Sequence, residues 1–170
     1  MKAGTALLIS IRPNFAEQIF SGTKTVELRR VCPRVEAGDL VIVYASGHEK
    51  SLVGAFQVAA VIKSTPTNIW KRFGSRTGLK RTDFESYYAN VEIGYAIEIS
   101  RTWRLRTPVK LAHLRRQPGG FCPPQGYRYL NLSEVFNLGG EAMMRTNRRR
   151  SYVRSVNARS KRRSERTSCK

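Results

Sequence analysis

The chain has 170 residues, of which 31 are Lys or Arg and 12 are Asp or Glu, giving a net charge of +19. This length suits one compact domain with a tail, and a hydrophobic content of 41% is enough to build a core. No apolar run approaches the roughly 20 residues that cross a bilayer, and Arg12 and Pro13 interrupt the N-terminal apolar stretch before it reaches signal-peptide form. We therefore expect neither a membrane protein nor a secreted one.

The three cysteines, Cys32, Cys122 and Cys169, are odd in number and widely spaced. There is no C-x2-C pair and the two histidines are isolated, so the pattern predicts neither a disulfide framework nor a zinc site. No P-loop, dinucleotide fingerprint or other metal motif is present. We expect a cytoplasmic protein without a metal or a cofactor.

The distribution of charge predicts a partner. Residues 141–170 carry 11 basic and 2 acidic residues, against 20 and 10 in residues 1–140. The C-terminal segment has too few apolar side chains to offset the entropy of ordering it. We predict a domain over 1–140 and a basic, disordered arm over 141–170. Such a charge favours nucleic acid as the ligand, and an arm that only keeps the protein in solution is the alternative.

The first part of the chain predicts three strands and one helix. A β-rich apolar segment at 5–11 predicts the first strand. Pro13 then marks the first turn of a short helix, which Gly22 ends. Alternating residues at 25–29 predict a strand with one wet face, and the apolar run 40–45 predicts a buried strand.

The second part of the chain continues this pattern. The β-branched segment 51–62 is interrupted by Gly54, which indicates a bulge or a close backbone approach. Pro66 opens a short helix, and Thr82 and Glu85 have the spacing of a capping box before another one. The remaining predicted elements are a strand at 91–105, a loop at 118–125 and a helical turn at 133–136.

The order of these elements predicts the fold class. The strands are not separated by the helices of about 10–15 residues that a doubly wound parallel sheet requires. About five to six twisted strands in roughly 130 residues instead indicate an α+β fold, a partly closed β-barrel with short helices at its ends, followed by the basic tail.

One run matches a family signature. Residues 21–30 contain Gly22, Lys24, Glu27 and Arg29 in the spacing G-x-K-x-x-E-x-R. The run resembles the signature of ASCH domains, which are named for homology to activating signal cointegrator 1 and have a PUA-like β-barrel. Further matches, which extend the resemblance over roughly residues 5–130, lie at 44–46, 53–54, 94–99 and 123–130.

The resemblance implies a role with RNA. PUA-like barrels bind RNA, and ASCH proteins are proposed to act in RNA processing or as coregulators of transcription. Among bacterial members, one group hydrolyses the N4-acyl amide of acetylcytidine with a Lys, a Thr and a Glu, and another degrades RNA. Lys24 matches the family lysine, but Glu27 stands where the amidohydrolases have threonine. This departure argues against the amidohydrolase chemistry.

Lys24 and Glu27 form the centre of the predicted polar cleft. Glu27 would hold Lys24 charged and Arg29 would hold Glu27 ionised, which favours a ligand-binding cluster over a neutral catalytic amine. Strand alternation puts Lys24 and Glu27 on opposite faces, so they share a pocket only if Lys24 belongs to the turn after Gly22. We expect Lys24 to lie outside the core, because burying an unpaired ammonium costs several kcal/mol. A solvated strand face of mixed charge is the alternative.

Five further residues complete the predicted nucleic-acid site. Arg30 extends the basic cluster, and Ser46 ends a strand where its hydroxyl could bind a base or a phosphate. Tyr95 could stack on a base. Tyr127 and Arg128 place an aromatic ring beside a cation, which suits single-stranded nucleic acid. The structural alternatives are a turn for Ser46, core packing for Tyr95 and a closing barrel strand for Tyr127 and Arg128.

Three functions compete. The first is a module that binds RNA, with the basic arm adding affinity. The second is a hydrolase in the same cleft, a ribonuclease or an N4-acetylcytidine-type amidohydrolase, with Lys24 and Glu27 as catalytic residues. The third is a DNA-linked regulator of transcription, for which no convincing helix-turn-helix is found. A charge of +19 suits a polymer better than a free nucleoside, so the RNA-binding module is favoured.

Overall fold

The computed structural model describes residues 6–117 and 119–138, apart from the side chains of Leu132 and Phe136. The predicted arm at 141–170 lies outside the described residues. No helix within the described ranges is long and apolar enough to cross a membrane. The strands are β1 (Ala6–Ile11), β2 (Val26–Arg29), β3 (Leu40–Ala45), β4 (Ser51–Ser64), β5 (Gly94–Lys110) and β6 (Tyr127–Leu130). The helices are α1 (Pro13–Ser21), α2 (Pro66–Phe73), α3 (Arg81–Tyr87), α4 (Leu111–Leu114) and α5 (Leu132–Asn137), with a 3-10 turn at Gly74–Arg76.

The six strands form one sheet in the order β2-β5-β4-β3-β1-β6. β1 and β3 are parallel, and every other neighbouring pair is antiparallel. The sheet curls into a half-barrel with the short helices against it, which confirms the predicted α+β fold and the partly closed barrel of five to six strands. Because β1 and β3 run in the same direction, both end at the same edge of the sheet, and this edge borders the cleft described below.

Side chains that alternate along β1 separate two parts of the core. Leu8 belongs to a buried cluster with Leu114 of α4 and Val135 of α5. Its neighbour Ile9 belongs to the opposite cluster, which α1 covers with Ile19. Both faces of the central strands are therefore buried, as their continuous apolar sequences require.

A third cluster attaches α2 and α3 to the edge of the sheet. Val26 of β2 and Ala96 of β5 pack there against Phe73 of α2 and Phe84 of α3. All four side chains are at most 2% exposed. This packing fixes α3 beside β2, so that one face of the helix borders the cleft.

Two predicted backbone features are confirmed. Gly22 ends α1 in the left-handed conformation with φ 84°, and its N–H donates to the carbonyl of Ile19 at 3.2 Å. Gly54 lies at a bulge in β4, where a Cβ atom would overlap the carbonyl of Trp103 and the ring of Phe20. The predicted bulge and the predicted close approach therefore both occur at this glycine.

The predicted capping box at Thr82 and Glu85 is wrong. Helix α3 begins at Arg81 with Lys80 as its N-cap, and no side chain caps it. Glu85 instead accepts from the Nε of Arg81 at 2.6 Å, one helical turn away. The N-cap is Lys80 instead of Thr82, so the helix starts two residues earlier than predicted and Thr82 lies in its first turn.

Asn131 and Glu134 form a capping box at the start of α5. The Asn131 side-chain oxygen accepts from the Glu134 N–H at 2.9 Å, and the Glu134 carboxylate accepts from the Asn131 N–H at 3.0 Å. The predicted helical turn at 133–136 is thus part of a slightly longer helix with a defined start.

Strand β5 extends five residues beyond the predicted end at 105 and includes Pro108. β2 pairs with β5 only between Tyr95 and Glu98, so the following part of β5 is an edge in the described structure. An edge strand tolerates proline because its outer N–H groups face solvent instead of a neighbouring strand. Proline therefore does not end this strand, and the short helix α4 that follows it was not predicted.

Candidate functional site

A cleft of about 880 Å³ opens at the edge where β1 and β3 end. Its walls come from the N-terminal turn of α1, from β2, from one face of α3 and from the loop before β6. The volume lies within the range of small-molecule and cofactor sites. The cleft contains four of the predicted site residues, namely Lys24, Glu27, Arg29 and Ser46.

Lys24 lies at the base of the cleft and is only 3% exposed. Its ammonium donates to the carbonyls of Val26 at 2.8 Å and Thr77 at 2.6 Å, and lies 3.3 Å from the carboxylate of Glu27. β2 begins two residues after Lys24, so the lysine belongs to the turn after Gly22, which is the condition for sharing a pocket with Glu27. The expectation that Lys24 lies outside the core is wrong. The hydrogen bonds to two carbonyls and the ion pair with Glu27 offset the free energy of desolvating the ammonium.

Glu27 lies between two cations. One carboxylate oxygen contacts Lys24, and the other accepts from the guanidinium of Arg29 at 2.9 Å. The Glu27 side chain is 10% exposed and that of Arg29 is 12% exposed. The Glu27 carboxylate therefore has one cationic partner on each of its two oxygens.

Arg29 has donor groups beyond its contact with Glu27. Its Nε is buried and has no hydrogen-bond partner among the described residues. A guanidinium carries five N–H donors in a planar fork that matches a phosphate or a carboxylate. Arg29 is therefore the cleft cation best able to bind an anionic group, whereas the donors of Lys24 are already in use.

Tyr87 of α3 forms the wall above Glu27. Burial raises the pKa of its hydroxyl, and the nearby Arg29 opposes this shift. The hydroxyl donates to the carbonyl of Leu28 at 3.2 Å, which holds the ring in place. Arg30 lies over the outer side of this ring at 5.2 Å from its centroid and is exposed. Arg30 thus lies next to the cleft without lining it.

The mouth of the cleft carries polar groups that sequence reasoning missed. Arg12, Asn14, Asp83 and Gln125 are all exposed and line the opening. Within the described residues, none of the four takes part in a side-chain hydrogen bond or an ion pair. Of these four residues, only Asn14 has a signal in the sequence. It follows Pro13, and this position predicts that Asn14 lies in the first turn of α1.

Ser46 and Ser10 lie at the ends of the parallel strands. The Ser46 hydroxyl donates to the carbonyl of Ile11 at 3.2 Å, and the Ser10 hydroxyl donates to the carbonyl of Pro124 at 2.5 Å. Both hydroxyls keep lone pairs that a ligand donor can use. Ser46 is half-buried, and its role in binding stays a prediction.

Three predicted site residues lie away from the cleft. Tyr95 is half-buried on β5, and its carbonyl accepts from the hydroxyl of Tyr88 at 3.2 Å. Tyr127 donates to the carbonyl of Cys32 at 3.1 Å. Arg128 points to the opposite face of β6 and pairs with Glu134 at 2.7 Å. These contacts connect β5 and β6 to neighbouring segments of the chain. None of the three side chains lines the cleft.

The described residues contain no group of three or more His, Cys, Asp or Glu side chains that could hold a metal ion. The cleft is lined by side chains of both charges. Arg12 and Arg29 supply cationic donors, and Glu27 and Asp83 supply anionic acceptors. This mixture suits a ligand that has both an anionic group and hydrogen-bond donors.

Comparison with known proteins defines the family. The ASCH domain family model matches residues 9–105, which is more than half of the chain. The chain belongs to the ASCH domain family. This confirms the resemblance drawn from the G-x-K-x-x-E-x-R run.

Three matches cover most of the described domain. The ASCH domain-containing ribonuclease of Zymomonas mobilis is 30% identical over 131 residues, which cover 77% of this chain and 88% of that protein. The crystal structure of ASCH from Zymomonas mobilis superposes with a TM-score of 0.74 at 29% identity, covering 79% of this chain and 94% of the other. The large ribosomal subunit protein uL22 of Ureaplasma parvum is 23% identical over 125 residues, which cover 73% of this chain and 39% of that protein.

Proposed function

We propose that this protein binds single-stranded RNA and that the cleft holds one nucleotide of the strand. The observation that carries the proposal is the pair of Arg29 and Glu27 side by side in a cleft of about 880 Å³. A nucleotide has an anionic phosphate for the guanidinium and base amino groups for a carboxylate. The net charge of +19 supports a polymeric ligand, since a polyanion is attracted far more strongly than a free nucleoside.

Arg12 and Arg29 have separate roles in this proposal. Arg29 is fixed by Glu27 and presents its fork inside the cleft, where water is scarce. Arg12 is exposed at the mouth and is the N-cap residue of α1. A phosphate that lies between them would receive two cationic contacts, one rigid and one mobile.

The proposal is tested by titrating labelled single-stranded RNA against variants that remove one charge each. We expect Arg12→Gln and Arg29→Gln to weaken binding by about 10-fold or more, the effect of losing a charge-assisted hydrogen bond. Arg106→Gln is the matched control, because Arg106 is exposed on β5 and lies outside the cleft. Equal affinities for all three variants would contradict the assignment of the cleft.

A second candidate function is hydrolysis of RNA in the same cleft. The observation in its favour is the similarity to the Zymomonas mobilis protein named a ribonuclease, which this chain covers over 88% of its length. The buried contacts of Lys24 argue against a role for that amine as a base, because all three of its N–H donors have acceptors. Asp83 is exposed at the mouth and is the cleft carboxylate that is free to accept a proton.

Binding and hydrolysis are separated by following one labelled RNA in both assays. An enzyme would cut the RNA during the titration. If the 2′-hydroxyl attacks the phosphorus, Asp83 takes the hydroxyl proton, the bond to the 5′-oxygen breaks and that oxygen takes a proton from solvent. Cleavage by this route stops when the RNA is replaced by its 2′-deoxy form. Asp83→Asn would then remove cleavage and retain binding. A binding module would leave the RNA intact through repeated exposure, with the Arg29 dependence unchanged.

A further inference from the structure

Helix α3 has a second cavity on the side that faces away from the cleft. The cleft is lined by Asp83, Ser86 and Tyr87, and the opposite face of the helix lines a groove of about 300 Å³ between α2 and α3. We call this cavity the α2–α3 groove. Its lining includes Thr67, Trp70, Arg81, Phe84, Glu85 and Tyr88.

The floor of the α2–α3 groove is a run of aromatic rings. The ring centroids of Trp70 and Phe84 are 4.9 Å apart, and those of Phe84 and Tyr88 are 4.8 Å apart. Phe84 and Tyr88 are buried, whereas Trp70 is half-buried. One side of the indole packs against Gly74, where a Cβ atom would lie 2.9 Å from the ring. The rings are thus held rigidly, and part of the indole remains accessible from the groove.

The rim of the α2–α3 groove supplies charged groups. The guanidinium of Arg81 lies 5.5 Å from the centroid of Trp70, and its Nε donates to Glu85 at 2.6 Å. Residues 66–88 contain five basic and two acidic residues, and the exposed Lys71 and Lys80 lie near the ends of the two helices. A groove with an aromatic floor, a guanidinium and a surrounding positive field complements a polyanion that carries flat rings.

We infer that the α2–α3 groove binds an unpaired base of the RNA strand that occupies the cleft, a few nucleotides along the strand from the nucleotide in the cleft. The base would stack on the Trp70–Arg81 pair, in the way that unpaired bases use aromatic side chains and guanidinium planes. Thr67 and Glu85 would meet its polar edge. The strand would cross α3, a helix about 10–12 Å wide, with its phosphates near Lys80. This inference rests on the proposed RNA binding in the cleft.

The test uses the two tryptophans of the chain, Trp70 and Trp103. Trp103→Phe leaves Trp70 as the single fluorophore at the groove, and Trp70→Phe leaves Trp103 as the matched control. We expect a single-stranded RNA of about ten nucleotides to quench the emission of Trp70 and to leave that of Trp103 unchanged. A mononucleotide, which can fill only the cleft, should not quench Trp70. Unchanged Trp70 emission at saturating oligonucleotide would overturn the inference.

Affinity measurements provide the second test. Trp70→Ala should weaken binding of the oligonucleotide by about 5- to 100-fold and leave mononucleotide binding unchanged. If this variant does not fold, Thr67→Tyr fills the groove from an exposed position, and Thr102→Tyr on the exposed face of β5 is its control. Equal oligonucleotide affinities for the two tyrosine variants would contradict the base-binding role.

The outcomes separate this inference from the proposed function. If Arg29→Gln loses RNA binding and Thr67→Tyr binds RNA as the wild-type protein does, the RNA-binding role of the cleft is supported and the base-binding role of the groove is wrong. Absence of RNA binding in the wild-type protein overturns both. Quenching of Trp70 by an oligoproline peptide and not by RNA would assign the groove to a protein partner, and would overturn the inference as well.

Discussion

One of the three contacts of the Lys24 ammonium connects segments that are distant in sequence. The lysine joins the turn after α1 to the carbonyl of Thr77, 53 residues away, and to the carboxylate of Glu27. Its removal would leave two buried carbonyls without their donor and would leave Glu27 with Arg29 alone. A buried group of this kind contributes to stability and positions the cleft at the same time.

We therefore expect Lys24→Ala to lower the free energy of unfolding by about 3–5 kcal/mol, the effect of breaking a buried ion pair. Urea-induced unfolding measures this change. Lys63→Ala, at an exposed lysine of β4, is the control and should change stability by less than about 0.5 kcal/mol. Lys24→Met, which keeps most of the volume, should also be destabilised because it lacks the donors. Equal stability of the Lys24 and Lys63 variants would contradict a structural role for Lys24.

The sequence predicted the Lys24–Glu27–Arg29 cluster but not the burial of its lysine. The spacing of the three residues is local, and it is enough to suggest the ion pairs that the structure shows. Thr77 supplies the third contact from a turn whose position depends on the packing of α2 against the sheet. A contact made across 53 residues leaves no periodic signal in the chain, so a buried and satisfied lysine could not be told from an exposed one.

At the scale of elements, the bulge in β4 allows α1 to pack closely on the sheet. A Cβ atom on Gly54 would overlap the Trp103 carbonyl of β5 and the Phe20 ring of α1. Gly54→Ala should thus lower the free energy of unfolding by about 1–3 kcal/mol or more, as overpacking in a rigid core does. Thermal unfolding would show the loss, and Gly126→Ala, where no atom lies within 4 Å of the added Cβ, is the control. A Gly54→Ala protein as stable as the control would show that α1 can shift to accommodate a methyl group.

The start of α5 provides a pH-dependent contribution to stability. Arg128 and the N–H of Asn131 lower the pKa of Glu134 from its ordinary value, with the Arg128 hydrogen bond as the larger cause. Because the folded state holds this carboxyl ionised, its stabilisation is present above the ordinary glutamate pKa of about 4.3. It is lost as the pH falls through the lowered pKa of the folded state.

Glu134→Gln should lower the free energy of unfolding at neutral pH by about 0.5–1 kcal/mol, because the amide keeps an acceptor for the Asn131 N–H but loses the ion pair with Arg128. This value allows for the screening of the ion pair by solvent, because the Glu134 side chain is 37% exposed. The difference between wild-type and variant should shrink as the pH falls below about 4, and denaturant unfolding at several pH values measures it. A difference that stays constant down to pH 2 would contradict the role of the charge.

The elements that the sequence predicted well are those with local signals. Pro13 and Gly22 delimit α1, and the apolar run at 40–45 became β3 without a change of boundary. The features it missed depend on neighbours: β5 continues through Pro108 because its outer side is an edge, and α4 follows only from that extension. The α2–α3 groove arises from two helices packed side by side, each of which shows only its own apolar face in the sequence.

At the scale of the whole molecule, the distribution of charge predicts separate contributions of the predicted domain and the predicted arm to the proposed RNA binding. The predicted domain over 1–140 holds half as many acidic as basic residues, and 141–170 holds 11 basic residues and 2 acidic ones. Phosphate contacts from either part release counterions and make affinity depend on salt. The cleft and the groove would add the contacts that depend on the shape of the nucleotide.

If about five phosphates of single-stranded RNA are neutralised, log Kd plotted against log salt concentration should have a slope of about 3–4. Removal of residues 145–170 should reduce this slope while the domain keeps its melting temperature, since the described core lies within residues 6–138. A variant with Gln at the three arginines 148–150 should lie between the two, because it removes part of the same charge without shortening the chain. Titrations at four salt concentrations and a thermal melt of each form measure both quantities. A slope near zero would contradict the electrostatic account of RNA binding, and a large drop in melting temperature on truncation would show that the arm packs on the domain.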